Sequence, residues 1–200
     1  MPTAQIRRPR GRPRDPGIEP RVYSAALDVY SERGWHGFSL EAVGRAAGVG
    51  QAALYRRWSN KADLLAKAVE WAEAPWPHID SGNSRDDLLA VARHLLLSYR
   101  TPSGIVGLRM VLDAWTNPDL AERFTSRMNN ASADEVRGIV RRVMQRGELR
   151  APATVGSALQ LLIGGTLSHV LLNPNEGAKI GELSAADERF LRRLVASLVT

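Results

Sequence analysis

Residues 38–61 read FSLEAVGRAAGVGQAALYRRWSNK, and this stretch decides the fold of the N-terminal part of the chain. Ser39 is a good N-cap residue, and Phe38 before it can pack on Val43 as a hydrophobic staple. Apolar residues follow at helical spacing, and Gly48 then offers the left-handed backbone that commonly ends a helix. The pattern therefore predicts a short helix between Ser39 and Gly48.

A second short helix is predicted at Gln51–Arg57, immediately after the glycine turn. Its apolar flank, Leu54 and Trp58, is expected to be buried. Asn60 can cap a third helix, with Asp63 three residues later in an arrangement like a capping box. The outward residues of the second helix are predicted to be Gln51, Ala52, Tyr55 and Arg56. Two short helices joined in this way fit the major groove of DNA.

The same pattern extends on both sides of this stretch, upstream through AALDVYSERGWHGFSLEAVGRAAGV and downstream through QAALYRRWSNKADLLAKAV. Through these residues, which cover about residues 20–70, the chain resembles the tetracycline-repressor (TetR) family of bacterial transcriptional regulators. The resemblance implies a helix-turn-helix DNA-binding domain followed by a larger helical domain that binds an effector and dimerises. It also implies that DNA faces Gln51, Ala52, Ala53, Tyr55, Arg56, Arg57 and Lys61.

The chemistry of these side chains suits DNA recognition. Gln51 can pair bidentately with adenine and Arg56 with guanine, and each good pair contributes about 1–3 kcal/mol of discrimination. Ala52 and Ala53 can offer methyl contacts to thymine. Phosphates are the predicted partners of Ser39, Tyr55, Arg57 and Lys61. Each residue alone would also suit an ordinary exposed helix surface, and only their combination at this spacing favours DNA.

The first 17 residues form a predicted flexible arm that is rich in Arg, Pro and Gly. Within it, RRPRGRPR resembles the core of an AT-hook, a narrow ribbon that follows the minor groove. Arg10, Arg12 and Arg14 would then enter a groove whose negative potential attracts guanidinium groups. The alternative is a solvated basic tail that adds only non-specific affinity.

The position of the charge also points to nucleic acid. Residues 1–61 hold eleven Lys and Arg against five Asp and Glu, whereas residues 62–200 hold sixteen of each. The whole net positive charge of +6 therefore lies at the predicted DNA-binding end. The chain contains no cysteine, which excludes disulfides and thiolate metal sites and suits a reducing cytoplasm. The basic N-terminus has no apolar segment of the secretory type.

The remainder of the chain is predicted to be helical, giving an all-α fold of about nine helices. The domain division is predicted as an arm at 1–17, a helix-turn-helix domain at 18–66 and an effector-binding and dimerisation domain at 67–200. The uncharged segment 151–175 contains too many polar and small residues for a membrane span. The other helices are predicted at Glu19–Arg33, from Lys61 to before Pro75, and at Arg85–Tyr99, Ser103–Thr116, Asp119–Arg146, Pro152–Leu172 and Ala185–Leu198.

An effector pocket is implied by the resemblance, which places it among helices four to seven. An apolar cavity there would suit a small hydrophobic or aromatic effector, with His94 or Arg109 as a polar anchor. The alternative is that the aromatic and methionine side chains simply fill the core. The candidate lining residues are Trp71, His94, Tyr99, Arg109, Met110, Trp115, Phe124 and Met128.

The last two predicted helices resemble the family's dimer surface, in which they form a four-helix bundle with their twofold mates. The alternative is that they complete the core of a monomer. A homodimer on a palindromic operator is favoured, because paired helix-turn-helix units need two half-sites about 34–36 Å apart. The candidate interface residues are Leu159, Leu162, Ile163, Thr166, Val170, Phe190, Leu191, Leu194 and Leu198.

An enzymatic function is not predicted. The four histidines are scattered, and the sequence contains neither a nucleophile elbow nor a phosphate-binding loop. We expect no catalytic residue, metal or cofactor. The sequence thus predicts a cytoplasmic, ligand-responsive transcriptional repressor that binds double-stranded DNA. The alternative is an architectural DNA-binding protein without an effector, in which the arginine arm dominates binding.

Overall fold

The computed structural model describes residues 17–73, 75–128, 131–150, 154–173 and 182–200, with the side chains of 124–128 and 131–133 outside that description. The described chain forms ten helices and confirms the all-α prediction. Leu149 and Val199 add one isolated β-bridge near the C-terminus. The helices are α1 Ile18–Gly37, α2 Leu40–Ala47, α3 Gln51–Tyr55, α4 Lys61–Ala72, α5 Ser84–Tyr99, α6 Pro102–Ala114, α7 Pro118–Met128, α8 Ala131–Gln145, α9 Val155–Leu172 and α10 Ala185–Leu198.

The helix predicted at Asp119–Arg146 is described in two parts, α7 and α8. The sequence between them is Asn129-Asn130, which lies outside the described residues. The continuity of the helix through these two residues stays a prediction.

The N-terminal module consists of α1 to α4, in which α1 packs against α2 and α4, and α3 packs against α2. The predicted start of α2 is confirmed, because the Ser39 side chain accepts a hydrogen bond from the Ala42 amide at 3.1 Å. Its predicted end is also confirmed, with Gly48 at φ +66°. Phe38 and Val43, the predicted staple pair, are both buried.

Helix α1 changes direction at Gly34, whose φ of +63° is not helical. The sequence had placed the end of this helix one residue earlier, at Arg33. The Arg109 guanidinium of α6 donates to the Ser31 carbonyl at 3.1 Å, next to the kink. The Tyr30 hydroxyl donates to Asp113 of α6, so two polar contacts join the end of α1 to α6.

A second core lies among α5, α8, α9 and α10, with α5 packed against the other three. Helix α6 contacts α5 and also α1 and α4 of the N-terminal module. Its inner residues Val106 and Met110 belong to the same apolar cluster as the N-terminal module. Helix α6 is therefore the structural link between the two cores.

A buried ionic cluster fixes α10 to α5 and α9. The Asp187 carboxylate is fully buried and accepts hydrogen bonds from Arg100 at 2.8 Å and His169 at 2.9 Å. Ser184 and Asp187 also form a reciprocal capping box at the start of α10. Burial alone would raise the pKa of Asp187, but the bonds from Arg100, Ser184 and His169 outweigh it and lower the pKa to about 2.

Candidate nucleic-acid interface

Helix α3 presents the side chains that the sequence predicts. Gln51, Ala52, Tyr55 and Arg56 are exposed, Ala53 is partly exposed, and Leu54 and Trp58 are buried beneath them. The Trp58 ring meets Tyr23 of α1 edge-on, with ring centroids 5.8 Å apart. This inner contact fixes which face of a five-residue helix points outward.

The approach of α3 to α2 depends on Gly44, which the sequence analysis did not single out. A Cβ atom at this position would lie 2.9 Å from Leu54 Cδ1 and 2.9 Å from the Val49 carbonyl oxygen. The Val49 amide also donates to the Gly44 carbonyl at 2.9 Å. Any side chain at Gly44 would therefore push α3 away from α2.

Lys61, a predicted phosphate ligand, is bound within the protein. Its ammonium donates to the Trp35 carbonyl at 2.8 Å and lies 4.0 Å above the Trp35 ring. Burial lowers the pKa of Lys61. These contacts join the start of α4 to the end of α1, a role that sequence spacing does not reveal.

Two further predicted phosphate ligands also have partners in the protein. The Arg57 guanidinium donates to the Ala53 carbonyl at 3.2 Å, which holds it along α3. The Ser39 hydroxyl accepts a hydrogen bond from the α2 backbone, as described above.

The Asn60 cap of α4 is confirmed by its 2.8 Å bond from the Asp63 amide. The predicted arm residues Arg10, Arg12 and Arg14 lie outside the described residues.

Glu41 is a second residue that sequence reasoning missed. The Tyr55 hydroxyl donates to Glu41 Oε1 at 2.5 Å, which bridges the outer faces of α2 and α3. This bond is the largest cause that lowers the pKa of Glu41 and the largest that raises the pKa of Tyr55. A separation of 14 residues, across a turn, carries no local signal for such a pair.

An open groove of about 450 Å³ lies between α1, α4 and α6. Of the predicted effector-site residues, Trp71 lies in it, beside Leu27 and Ile105, and Asp28 is its charged lining residue. Trp71 is about half exposed. The groove therefore opens at the junction of the N-terminal module and α6, rather than inside the larger domain.

The other predicted pocket residues are dispersed. The His94 ring lies against the Trp76 ring at a tilt of 34°, with ring centroids 4.2 Å apart, and burial lowers the pKa of His94. Burial raises the pKa of Tyr99 to about 12. Met110 is fully buried in the core. The side chains of Phe124 and Met128 lie outside the described part of the chain.

Two of the pocket predictions need correction. Trp115 is 85% exposed, so it does not line an internal pocket in this protomer. It follows the last residue of α6 and extends away from the core. Arg109 is also exposed and donates to α1 rather than into a cavity. The aromatic and basic composition suggested a binding site, but the helix register directs both side chains outward.

The predicted dimer surface also needs correction at four positions, which are buried inside the protomer: Leu162, Thr166, Leu191 and Leu198. Five others are partly buried and pack against the second core: Leu159, Ile163, Val170, Phe190 and Leu194. The outer face of α9 instead carries Leu161, Leu171 and Leu172. Gly165 allows α9 to approach Leu194 of α10, whereas Gly164 faces open space.

Helix α9 is long and apolar enough to cross a membrane by length and composition alone. Its inner face nevertheless packs against α5, α8 and α10. Among the described residues, no group of three His, Asp or Glu side chains is placed to hold a metal ion.

Comparison with known families identifies the protein group. Residues 22–68 match the family described as bacterial regulatory proteins of the tetR family. Residues 78–198 match the tetracyclin repressor-like C-terminal domain. The chain belongs to the TetR family. It is thus a DNA-binding helix-turn-helix transcriptional regulator, and the resemblance drawn from residues 20–70 is confirmed.

Similar proteins agree with this assignment. The regulator AqdR of Rhodococcus erythropolis is 31% identical over 155 residues, covering 75% of this chain and 72% of AqdR. The regulator YdeS of Bacillus subtilis is 27% identical over 168 residues, covering 84% and 85%. The structure of NalD from Pseudomonas aeruginosa, a repressor of the MexAB-OprM efflux pump, superposes with a TM-score of 0.67 at 20% identity. That superposition covers 91% of this chain and 96% of NalD, and it shows that the TetR fold extends over the whole domain pair.

Proposed function

We propose that this TetR-family regulator is a cytoplasmic homodimeric repressor that binds a palindromic operator through α3 and is released by a small hydrophobic or aromatic effector. The observation that carries the proposal is the outward face of α3 over its buried support. Gln51 and Arg56 would read base edges, and Ala52 and Ala53 would contact thymine methyl groups. Phosphate contacts would come from Ser39, Tyr55, Arg57 and Lys61.

The N-terminal arm would add a second contact with the same duplex. Residues 1–16 contain five Arg and one Asp, so most of the chain's net positive charge is in this arm. Arg10, Arg12 and Arg14 would enter the minor groove beside the half-site that α3 occupies. The strongest phosphate attraction would then come from residues outside the helix-turn-helix.

Dimerisation is supported by the outer face of α9. Leu161 is 55% exposed, and Leu171 and Leu172 continue the same apolar surface. Gly164 has open space above it, which would allow a partner helix to approach closely. Five partly buried residues border this face and would lose further solvent contact: Leu159, Ile163, Val170, Phe190 and Leu194. A twofold axis through it would set the spacing of the two α3 helices.

The proposed route from effector to DNA runs through α4 and α6. Helix α4 packs against α1, α6 and α7, so a displacement of α6 or α7 is transmitted directly to the N-terminal module. A hydrophobic ligand beside Trp71 would act on α4 and α6, which line the groove. A ligand near His94 or Tyr99 would act on α5, which packs against α6. It would release DNA only to the extent that it binds more tightly to a dimer conformation in which the two α3 helices no longer match the spacing of the major groove. The two family matches end at residue 68 and begin again at 78, which is compatible with the proposed boundary at 66 and 67.

The test of this proposal is operator binding by the full chain. A footprint on the DNA that flanks the gene should reveal two protected half-sites about one helical turn apart. Arg56→Ala should weaken binding to that fragment by about 1–3 kcal/mol, roughly 5- to 150-fold, because a guanine contact is lost.

The matched control is Arg85→Ala, which removes an exposed arginine at the start of α5, away from α3. Its affinity should stay within about twofold of the unmodified protein. Equal losses in the two variants would contradict the proposal. Weak protection without a symmetric site would instead support the architectural alternative.

A further inference from the structure

The hydrogen bond between Tyr55 and Glu41 has a consequence for DNA binding. A phenol has a single hydroxyl proton to donate, and in the free protein that proton is donated to the Glu41 carboxylate. A DNA phosphate offers only acceptor oxygens. Tyr55 therefore cannot donate to a phosphate while it donates to Glu41.

The position of Glu41 makes this competition unavoidable. It lies in the first turn of α2, two residues after the Ser39 cap, on the side of α2 that meets the outward face of α3. Its carboxylate accepts the hydrogen bond from the Tyr55 hydroxyl there, as a phosphate oxygen would. A phosphate that approached Tyr55 would also meet the negative charge of Glu41 at close range.

We infer that Glu41 is an affinity-lowering positioning residue, whose carboxylate occupies the Tyr55 hydroxyl until a DNA phosphate displaces it. The inference rests on the proposed DNA-binding face of α3. In the free protein the bond holds Tyr55 in one orientation. On DNA, the exchange of one acceptor for another lowers the net gain from the Tyr55–phosphate contact. The operator affinity is therefore lower than it would be if the Tyr55 hydroxyl had no partner in the free protein.

The experiment is a double-mutant cycle of Glu41→Gln and Tyr55→Phe, measured by fluorescence anisotropy on the footprinted fragment at fixed salt. Glutamine has nearly the same shape as glutamate but carries no charge. We expect Glu41→Gln to bind about two- to fivefold more tightly, the range that corresponds to an exposed charge pair. In the Tyr55→Phe background the gain should be smaller, because only the repulsion between Glu41 and the phosphate is then relieved and no phenol hydroxyl competes for an acceptor.

The matched control is Glu32→Gln, which removes an exposed carboxylate from α1 elsewhere in the same module. It reports the gain from lowering negative charge alone. The inference is overturned if Glu41→Gln binds no more tightly than Glu32→Gln. It is equally overturned if Glu41→Gln gains the same factor with and without the Tyr55 hydroxyl.

A DNA-free measurement separates failure of this inference from failure of the proposed function. Titration of tyrosinate absorbance, with Tyr55→Phe as the reference, should show that Glu41→Gln lowers the pKa of Tyr55 towards its ordinary value. An unchanged titration means that the pair does not form and overturns the inference. A changed titration together with no effect of Arg56→Ala on DNA binding would count against the DNA-binding role of α3, and with it against this inference.

Discussion

Replacing Asp187 by Asn should destabilise the larger domain strongly, because this carboxylate is the centre of the cluster that joins α5, α9 and α10. The substitution keeps the side-chain volume but removes the charge that faces Arg100. Arg100 is itself only 14% exposed, so its guanidinium would be left buried without a counter-ion. The reciprocal cap with Ser184 would also lose its charge.

The magnitude follows from the lowered pKa of Asp187. A change from 3.8 to about 2 on folding corresponds to about 2.5 kcal/mol of stability at neutral pH. Breaking one partner of a buried ion pair commonly costs about 3–5 kcal/mol. We therefore expect Asp187→Asn to lower the free energy of unfolding by about 3 kcal/mol at pH 7.

The stabilisation by Asp187 depends on pH, and the direction of the pKa change decides at which end of the pH range it is lost. Because the pKa is lower in the folded protein, the stabilisation by Asp187 is complete above the unfolded value of 3.8 and is lost as pH falls towards about 2. The difference between the unmodified protein and Asp187→Asn should shrink by about 1 kcal/mol between pH 5 and pH 3.

The assay is urea denaturation followed by circular dichroism at a fixed protein concentration, since dimerisation would contribute to stability. Glu188→Gln is the control, because its ion pair with Arg93 is partly exposed and should contribute at most about 1 kcal/mol. The reasoning is refuted if Asp187→Asn costs no more than this control. A difference that does not change between pH 5 and pH 3 would refute the electrostatic explanation.

Three further substitutions test the N-terminal module. Trp58→Ala should lower its stability by about 3–5 kcal/mol in thermal melting and abolish operator binding, because α3 loses its buried support; a normal melting curve would contradict this. Gly48→Ala places a side chain in the left-handed region, at a cost of about 1–2 kcal/mol. Gly34→Ala should cost more, about 2–3 kcal/mol, because φ +63° with ψ −172° is a region open essentially only to glycine. The new Cβ at Gly34 would also lie 2.3 Å from Arg109 Nη2, and loss of the guanidinium's bond to Ser31 would add about 1 kcal/mol. Gly34→Ala should therefore melt at a lower temperature than Gly48→Ala, and equal melting temperatures would contradict this.

Helix α9 illustrates where sequence reasoning failed. The segment carries no charge and is apolar on several faces, so its composition does not distinguish the inner face from the outer one. The sequence therefore predicts Leu162 and Thr166 on a dimer surface, although they are buried inside the chain. Leu161, one residue away, is exposed instead. A helix rotates by about 100° per residue, so a one-residue error exchanges core and surface.

Helices α2 and α3 illustrate the opposite case. Ser39, Gly48 and Asn60 act on neighbouring backbone within a few residues, so their caps could be predicted from sequence alone. The buried Leu54 and Trp58 then determined which side chains of α3 face outward. Charge gave independent support, because the net excess lies at the same end of the chain.

The sequence by itself therefore determined the helix-turn-helix, its outward residues, the all-α fold and the family, since these depend on local periodicity, capping and motif spacing. Only the tertiary structure decided the partners of Glu41, Lys61 and Asp187, because each meets a residue that lies 14 to 87 positions away. Such pairs arise when helices pack, and the free energy that selects them depends on burial and geometry that no local pattern encodes.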